Sequence, residues 1–350
     1  MRAFKLMPLL SVCIPTYNRA KELDVLLSSL TAQDMTGVEI IVSDNASCDN
    51  TKAVVEKYGK KIKNIFYYAN ESNLGFDANI LAAVARAKGK YCWLLGSDDA
   101  LHKGALARAL GYLKSNFELY AVGADLCDGS LDFLQYGGYL RRVKDGCAFG
   151  MAKKRDMLFY LSRVKANMGL FGYIGGVIFL KEIWDKIEAP QNLIGLGWIH
   201  VYKFWSFKNF GAAVKYKSRA LVKIRFYNDE LSLKEGRVAR LILEFKGLLL
   251  TARALFKEDK DLYNAFLAAV TRYVRPDSVP PLFTLKGKDK EHWPQLVEFM
   301  RRYPYPERFK NSLNSKWRFS FIYFAREFIN KPALRRVKAP VKFIKDLFFG

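Results

Sequence analysis

Two adjacent carboxylates close the stretch Tyr91-Cys92-Trp93-Leu94-Leu95-Gly96-Ser97-Asp98-Asp99, in which an apolar run follows Lys88-Gly89-Lys90. The run reads as a core strand. Neighbouring acids at its end repel unless a cation or a hydrogen-bonding ligand joins them, and a divalent metal with a phosphate is the natural partner. Mg²⁺ or Mn²⁺ sits on one or two carboxylates while substrate phosphate oxygens complete its shell. The competing reading is an Asx-type turn before a helix that begins near Lys103, because Asp is a common turn residue.

Two upstream segments end in the same way. Leu9-Leu10-Ser11-Val12-Cys13-Ile14 is strand-like and runs into Pro15-Thr16-Tyr17-Asn18-Arg19, after which Leu23, Leu26, Leu27 and Leu30 mark a helix. Val38-Glu39-Ile40-Ile41-Val42-Ser43-Asp44-Asn45 again closes on an acid, with polar Ala46-Ser47-Cys48-Asp49-Asn50-Thr51 at the next helix start. In open α/β sheets the ligand crevice lies outside the carboxyl ends of the strands, so Asn18, Asp44, Asp98 and Asp99 are expected to converge.

With these motifs the chain resembles the glycosyltransferase family 2 enzymes of the GT-A fold. The matching segments are Ser11 to Arg19, Ile41 to Thr51, Asn73-Leu74-Gly75-Phe76 with Asn79, and Leu95-Gly96-Ser97-Asp98-Asp99, in order and spacing over residues 8 to 110. The resemblance implies a Rossmann-like, mostly parallel central sheet flanked by helices. It implies that Pro15, Thr16, Tyr17, Asn18, Arg19, Asp44 and Asn73 line the nucleotide-sugar site, that Asp98 faces the ribose and that Asp99 binds the metal on the diphosphate. Many relatives carry a further acid where this chain has Gly96.

Glycosyl transfer also needs a base for the acceptor hydroxyl. Relatives usually place an acid after a Gly-rich strand like Tyr173 to Phe179; this chain offers His200 in Gly195-Leu196-Gly197-Trp198-Ile199-His200. Histidine titrates near neutrality, which suits the role, although a His beside Val201, Phe204 and Trp205 also fits a hydrogen-bonded structural position. Asp185 is the fallback base. Trp198 is a candidate to stack on an acceptor sugar, and Arg225 with Asn228, near the end of the catalytic region, is expected to face the donor diphosphate.

The formal net charge is +23, concentrated at the end of the chain: residues 301–350 hold thirteen basic and three acidic residues. Trp317, Phe319, Phe321, Ile322, Tyr323, Phe324 and Phe328 are interleaved with them. This pattern reads as an amphipathic helix on an anionic membrane surface, or as aromatics packed back on the catalytic region. No recognised nucleic-acid motif accompanies the charge, so nucleic acid is not expected as a partner. Cys13, Cys48, Cys92, Cys127 and Cys147 form no C-x-x-C pair and read as reduced core residues. No signal peptide and no run long enough to span a bilayer stand out. These features place the protein in the cytoplasm, peripheral on the inner face of the cytoplasmic membrane.

Residues 1 to about 115 alternate strands near 9–14, 38–43, 63–68 and 90–95 with helices near 20–33, 49–58, 77–88 and 103–115. Residues 116–228 are mixed and correspond by resemblance to the acceptor half, completing a catalytic domain over 1–228. A basic, helical region is expected over 229–350, with helices over Leu233 to Phe256 and Asp261 to Val274. The expected activity is transfer of a sugar from a nucleotide-sugar donor to a glycan or lipid-linked acceptor, inverting and metal-dependent, in bacterial surface-polysaccharide synthesis. A dehydrogenase and a P-loop NTPase are disfavoured by the lack of G-x-G-x-x-G and G-x-x-x-x-G-K-[ST]. A sugar nucleotidyltransferase stays open, though it should carry a Gly-rich loop where Pro15-Thr16-Tyr17-Asn18 stands. So does a non-catalytic membrane- or nucleic-acid-binding protein on a transferase scaffold, against which the retained Asp98 and Asp99 argue.

Overall fold

A computed structural model describes residues 7–165, 167–225, 237–273, 291, 292, 294–296 and 298. Asn228 and the basic segment 301–350 lie outside the described residues. The first half repeats one unit. Strand β1 (Leu10–Thr16) is buried throughout and leads to helix α1 (Ala20–Thr31), whose Leu23, Leu26, Leu27 and Leu30 form one buried stripe. Strand β2 (Val38–Asp44), helix α2 (Thr51–Gly59), strand β3 (Ile65–Ala69), helix α3 (Phe76–Ala85) and strand β4 (Tyr91–Leu94) continue the alternation.

Strands β1 to β4 pair in the order β3-β2-β1-β4, all parallel. The order reverses between β1 and β4, which is where such sheets open a crevice at their carboxyl ends. Register makes those ends coincide: Thr16 lies beside Asp44, and Cys13 beside Leu94. The polar residues that follow each strand therefore share one rim.

The second half is less regular. Beyond β4 come strand β5 (Ala100–Leu101), helix α4 (Ala105–Leu113) and strands β6 (Leu119–Cys127), β7 (Phe133–Gly137) and β8 (Ala148–Gly150). Helix α5 (Lys154–Arg163), strand β9 (Val177–Leu180), helices α6 (Lys181–Lys186) and α7 (Ile199–Ser206), and strand β10 (Ala213–Arg225) follow. They extend the sheet to ten strands in the order β3-β2-β1-β4-β9-β6-β10-β5, with β7 on β6 and β8 on β10. Strand β9 enters antiparallel between β4 and β6. The short strands β5 and β8 escape sequence periodicity because two or three residues carry no period.

The chain divides into two compact units, Met1–Glu230 with Leu243–Val270, and Leu231–Ile242 with Thr271–Gly350. The expected helices appear as Arg237–Phe256 and Lys260–Tyr273. Residues 243–270 fall inside the first unit instead of in an appendage starting at 229. The reason is aromatic packing: the Trp205 ring meets Phe256 at 5.9 Å and Phe266 at 5.5 Å between centroids, and Lys154 pairs with Asp259 and Asp261. No helix of the described residues is long and apolar enough to cross a membrane.

Candidate active site

The loops after β1 and β2 brace each other. Asn18 adopts a positive φ of 49°, a conformation that Asn tolerates better than most residues. Its amide donates to Ser47 Oγ at 2.8 Å, and its Oδ1 accepts from the Cys48 amide at 2.9 Å. Cys48 is therefore exposed at this rim, while Cys13, Cys92 and Cys127 are buried as expected and Cys147 is half-buried. Asp44 is buried; Oδ1 accepts from the Ser47 amide and hydroxyl, and Oδ2 from the Tyr67 hydroxyl at 2.5 Å. Burial, and then the Asp44 carboxylate, push the Tyr67 hydroxyl upward in pKa.

A third loop joins them through amides. Asn45 Nδ2 donates to Asn73 Oδ1 at 2.6 Å, while Asn45 Oδ1 accepts from the Leu74 amide at 2.9 Å. Asn79 on α3 accepts from the Ser43 hydroxyl and donates to the Ser43 carbonyl, locking α3 to β2. Asp44 and Asn73 thus act first as braces of the loops they belong to. Pro15 and Thr16 are buried, Tyr17 is half-buried and Asn18 is exposed. Thr16 Oγ1 has no hydrogen-bond partner among the described residues.

The acid pair after β4 splits in two. Asp98 forms an ion pair with Arg19, each side chain 20% exposed. Asp99 is 2% exposed; its Oδ2 accepts from the Tyr173 hydroxyl at 2.5 Å and its Oδ1 from the Arg225 amide at 3.2 Å. Burial first, then the Asp98 charge, raise the Asp99 carboxyl well above its usual pKa, with Tyr173 and the Arg225 amide opposing. The Tyr173 hydroxyl is raised as well, by burial and then by Asp99. Arg225 is a clamp on this turn: Nε donates to the Asp98 carbonyl at 2.9 Å and Nη1 to the Gly129 carbonyl. Those two donors are taken up by carbonyls rather than turned toward a diphosphate.

The two acids differ in how enclosed they are: the Asp98 side chain is 20% exposed and Asp99 is 2% exposed. A divalent cation needs oxygen ligands, and one carboxylate with substrate phosphates suffices. Asp98 is partly exposed and paired with Arg19; Asp99 is enclosed and hydrogen-bonded on both oxygens. No group of three or more His, Cys, Asp or Glu side chains that could hold a metal occurs among the described residues. A Cβ at residue 96 would lie 2.6 Å from Asp99 Oδ2 and 3.1 Å from Asp98 Oδ1.

The expected base and acceptor residues lie on helices α6 and α7 and at the start of α7. His200 on α7 is 2% exposed, its ring bracketed by Trp198 at 5.9 Å, Phe76 at 6.4 Å and Phe204 at 6.4 Å, with Nε2 3.3 Å from the Gly172 carbonyl. A base in that position must lose this enclosure before it meets a hydroxyl. Trp198 is equally buried, and a Cβ on Gly247 would fall 2.6 Å from its ring, so its face serves packing rather than a sugar. Asp185 lies on α6 with its side chain 47% exposed, bonded to Lys181 one turn away at 2.5 Å. It is an ordinary surface pair.

One residue passed over in the sequence connects the two halves. Asp77, buried in the first turn of α3, accepts from the amides of Gly195 and Gly197 at 2.8 Å each and of Ile199 at 3.2 Å. Burial raises its pKa while the amides oppose the shift. Gly195 and Gly197 both have positive φ, which lets successive amides turn toward one carboxylate. The available signal is the acid two residues after Gly75 together with the Gly195-Leu196-Gly197 spacing.

A mixed sheet with parallel β1 to β4, whose carboxyl ends share one rim with an acid turn beside it, is an architecture of GT-A type. The description "Glycosyl transferase family 2" matches residues 11–152. Abequosyltransferase RfbV of Salmonella typhimurium is 36% identical over 269 residues, 74% of this chain and 78% of that protein. The chain belongs to glycosyltransferase family 2 and is a glycosyltransferase. A GalNAc(5)-diNAcBac-PP-undecaprenol beta-1,3-glucosyltransferase of Campylobacter jejuni is 39% identical over 205 residues, 57% of this chain and 62% of that protein. Among solved structures, S. aureus TarS 1-349 in complex with UDP aligns with TM-score 0.57 and 19% identity, over 91% of this chain and 87% of that one. That likeness agrees on the fold.

Proposed function

We propose that the protein transfers a sugar from a nucleoside diphosphate sugar to a hydroxyl of a glycan or lipid-linked acceptor in bacterial surface-polysaccharide synthesis, with inversion and with Mg²⁺ or Mn²⁺. The observation that carries the reading is the surface placement of Asp98 beside Arg19 at the common rim of β1, β2 and β4. The acceptor class comes from the Campylobacter relative, whose name specifies a lipid-linked diphosphate substrate, and from the Salmonella abequosyltransferase.

The roles follow from the geometry. Pro15, Thr16 and Tyr17 line the base and ribose side, and the braces at Asp44 and Asn73 keep that side open before the donor arrives. Asp98 offers the carboxylate for the cation, and Arg19 offers charge to the diphosphate. When bound, the divalent cation neutralises negative charge developing on the leaving diphosphate. Asp99, Tyr173 and Arg225 hold the turn so that Asp98 is presented without reorganisation. Residues 301–350, basic and aromatic, are assigned to an anionic bilayer that would carry a lipid-linked acceptor.

A thermal-shift panel of UDP, GDP, CDP and dTDP, with and without MnCl₂, tests the central reading. One nucleotide is expected to raise the Tm in the presence of MnCl₂, and Asp98→Asn to lose that response. If none of the four stabilises the wild type, the donor assignment fails. Flotation of the full chain with anionic against neutral vesicles tests the membrane assignment; equal recovery on both would remove it.

A further inference from the structure

Helix α5 carries a basic face that no acid covers. Arg155, Phe159 and Arg163 recur every fourth residue along it, which sets them on one side of the helix. Arg155 is exposed, Arg163 is half-buried and Phe159 is 44% exposed, with the Arg163 guanidinium 4.7 Å from the Phe159 ring centroid and Phe149 stacked beside that ring at 6.1 Å. The chain brings more positive charge to the end of this helix. The Arg141 amide donates to the Arg163 carbonyl at 2.8 Å and the Lys165 amide to the Tyr139 carbonyl at 3.0 Å, so Arg141, Arg142, Arg163 and Lys165 gather at one corner. Arg141, Arg142 and Lys165 are exposed. Among the described residues none of these cations forms an ion pair. The acids nearest in sequence are engaged elsewhere: Asp145 accepts from the Ser218 amide and hydroxyl, and Asp156 Oδ2 from the Gly150 amide at 2.9 Å.

Helix geometry accounts for only part of this cluster. Arg163 in the last turn is favoured by the helix dipole, but Arg155 stands in the first turn, where a cation is disfavoured. Like charges gathered without counter-ions repel one another, and an anionic surface relieves that repulsion. We propose that Arg141, Arg142, Arg155, Arg163 and Lys165, around the Phe159 ring, rest on an anionic bilayer, so that the catalytic region touches the membrane through its own face and not only through residues 301–350. The choice of a bilayer as partner rests on the lipid-linked acceptor proposed above. Basic side chains around an exposed aromatic ring are the composition of a helix face that lies in a membrane interface. Each cation near an anionic leaflet strengthens binding roughly fivefold.

The test is partition of the full-length protein onto sucrose-loaded vesicles of phosphatidylcholine with phosphatidylglycerol, against vesicles of phosphatidylcholine alone. A variant combining Arg141→Gln, Arg142→Gln and Arg155→Gln is expected to lose about a hundredfold in partition onto the anionic vesicles. The matching variant with Lys at the same three positions keeps the charge and is expected to bind as wild type does. The inference is overturned if the Gln variant partitions like wild type, which would leave residues 301–350 as the sole anchor, or if the Lys variant falls as far as the Gln variant. A loss seen only with single-stranded RNA, and not with vesicles, would overturn it in favour of nucleic acid. Far-UV circular dichroism checks that each variant is folded. Failure of the transferase reading would show differently, as no nucleoside diphosphate raising the Tm of wild type, whereas the Gln variant is expected to keep the nucleotide response of wild type.

Discussion

The rim of β1, β2 and β4 and the stretch from Gly172 to Trp205 are both parts of one transferase, yet they handle polar residues in opposite ways. At the rim, polar side chains bond mainly to each other and to loop backbone: Asp44 to Ser47 and Tyr67, Asn45 to Asn73, Asn18 to Ser47 and Cys48. Between Gly172 and Trp205, polar groups are set into an aromatic interior. His200 Nε2 lies 3.3 Å from the Gly172 carbonyl among three rings, and Trp205 Nε1 donates to the Leu170 carbonyl at 3.1 Å. A network of short loop contacts preorganises a ligand site. Polar groups bonded to backbone inside packed rings chiefly fix the positions of the elements that carry them.

Asp77 is where the two regions join, so removing it is the strongest way to break the contrast. Asp77→Ala leaves the amides of Gly195, Gly197 and Ile199 without their acceptor. Stability is expected to fall by about 3 kcal/mol, since each buried unsatisfied group costs roughly 1–3 kcal/mol. Urea unfolding measures this, and a loss near zero would mean that the 195–199 loop does not depend on α3.

Gly96→Ala probes the rim. The new Cβ would press on Asp99, whose carboxylate is held from two sides, and a cost of about 1–3 kcal/mol is expected from overpacking. A melting temperature equal to that of wild type would show that Asp99 moves freely.

His200→Gln sharpens the comparison from the other side. The amide can keep a bond to the Gly172 carbonyl, so nucleotide release during transfer is expected to slow by less than about tenfold. Loss of a general base costs roughly 10²–10⁴, and a fall of that size in a folded variant would restore His200 as the base. The smallest effect is expected from Asp185→Ala. An exposed helix pair contributes about 0.5 kcal/mol or less, so both melting temperature and turnover should stay near wild type.

Much of the rim was legible before any coordinates. Pro15, Asp44 and Asp98 each stand at or shortly after the end of a strand that local periodicity marks, and parallel register brings those ends together. Tyr173 and Arg225 were harder to read, because they reach Asp99 from 74 and 126 residues away. Trp198 looked like a sugar platform because sequence records an aromatic without recording what covers it. The Gly-rich strand of Tyr173 to Phe179 was visible, with its strand part at Val177–Leu180, but not its antiparallel insertion between β4 and β6.

The sequence by itself determined the family, the alternating first half and the residues that gather at its rim, because local pattern and chain order suffice for parallel β-α repeats. Which acid faces the crevice was decided only by the tertiary structure. Asp98 and Asp99 are chemically identical neighbours; what separates them is Tyr173 and the Arg225 amide closing over one, and Arg19 reaching the other. Burial and long-range hydrogen bonding set that difference, and neither is written in local sequence.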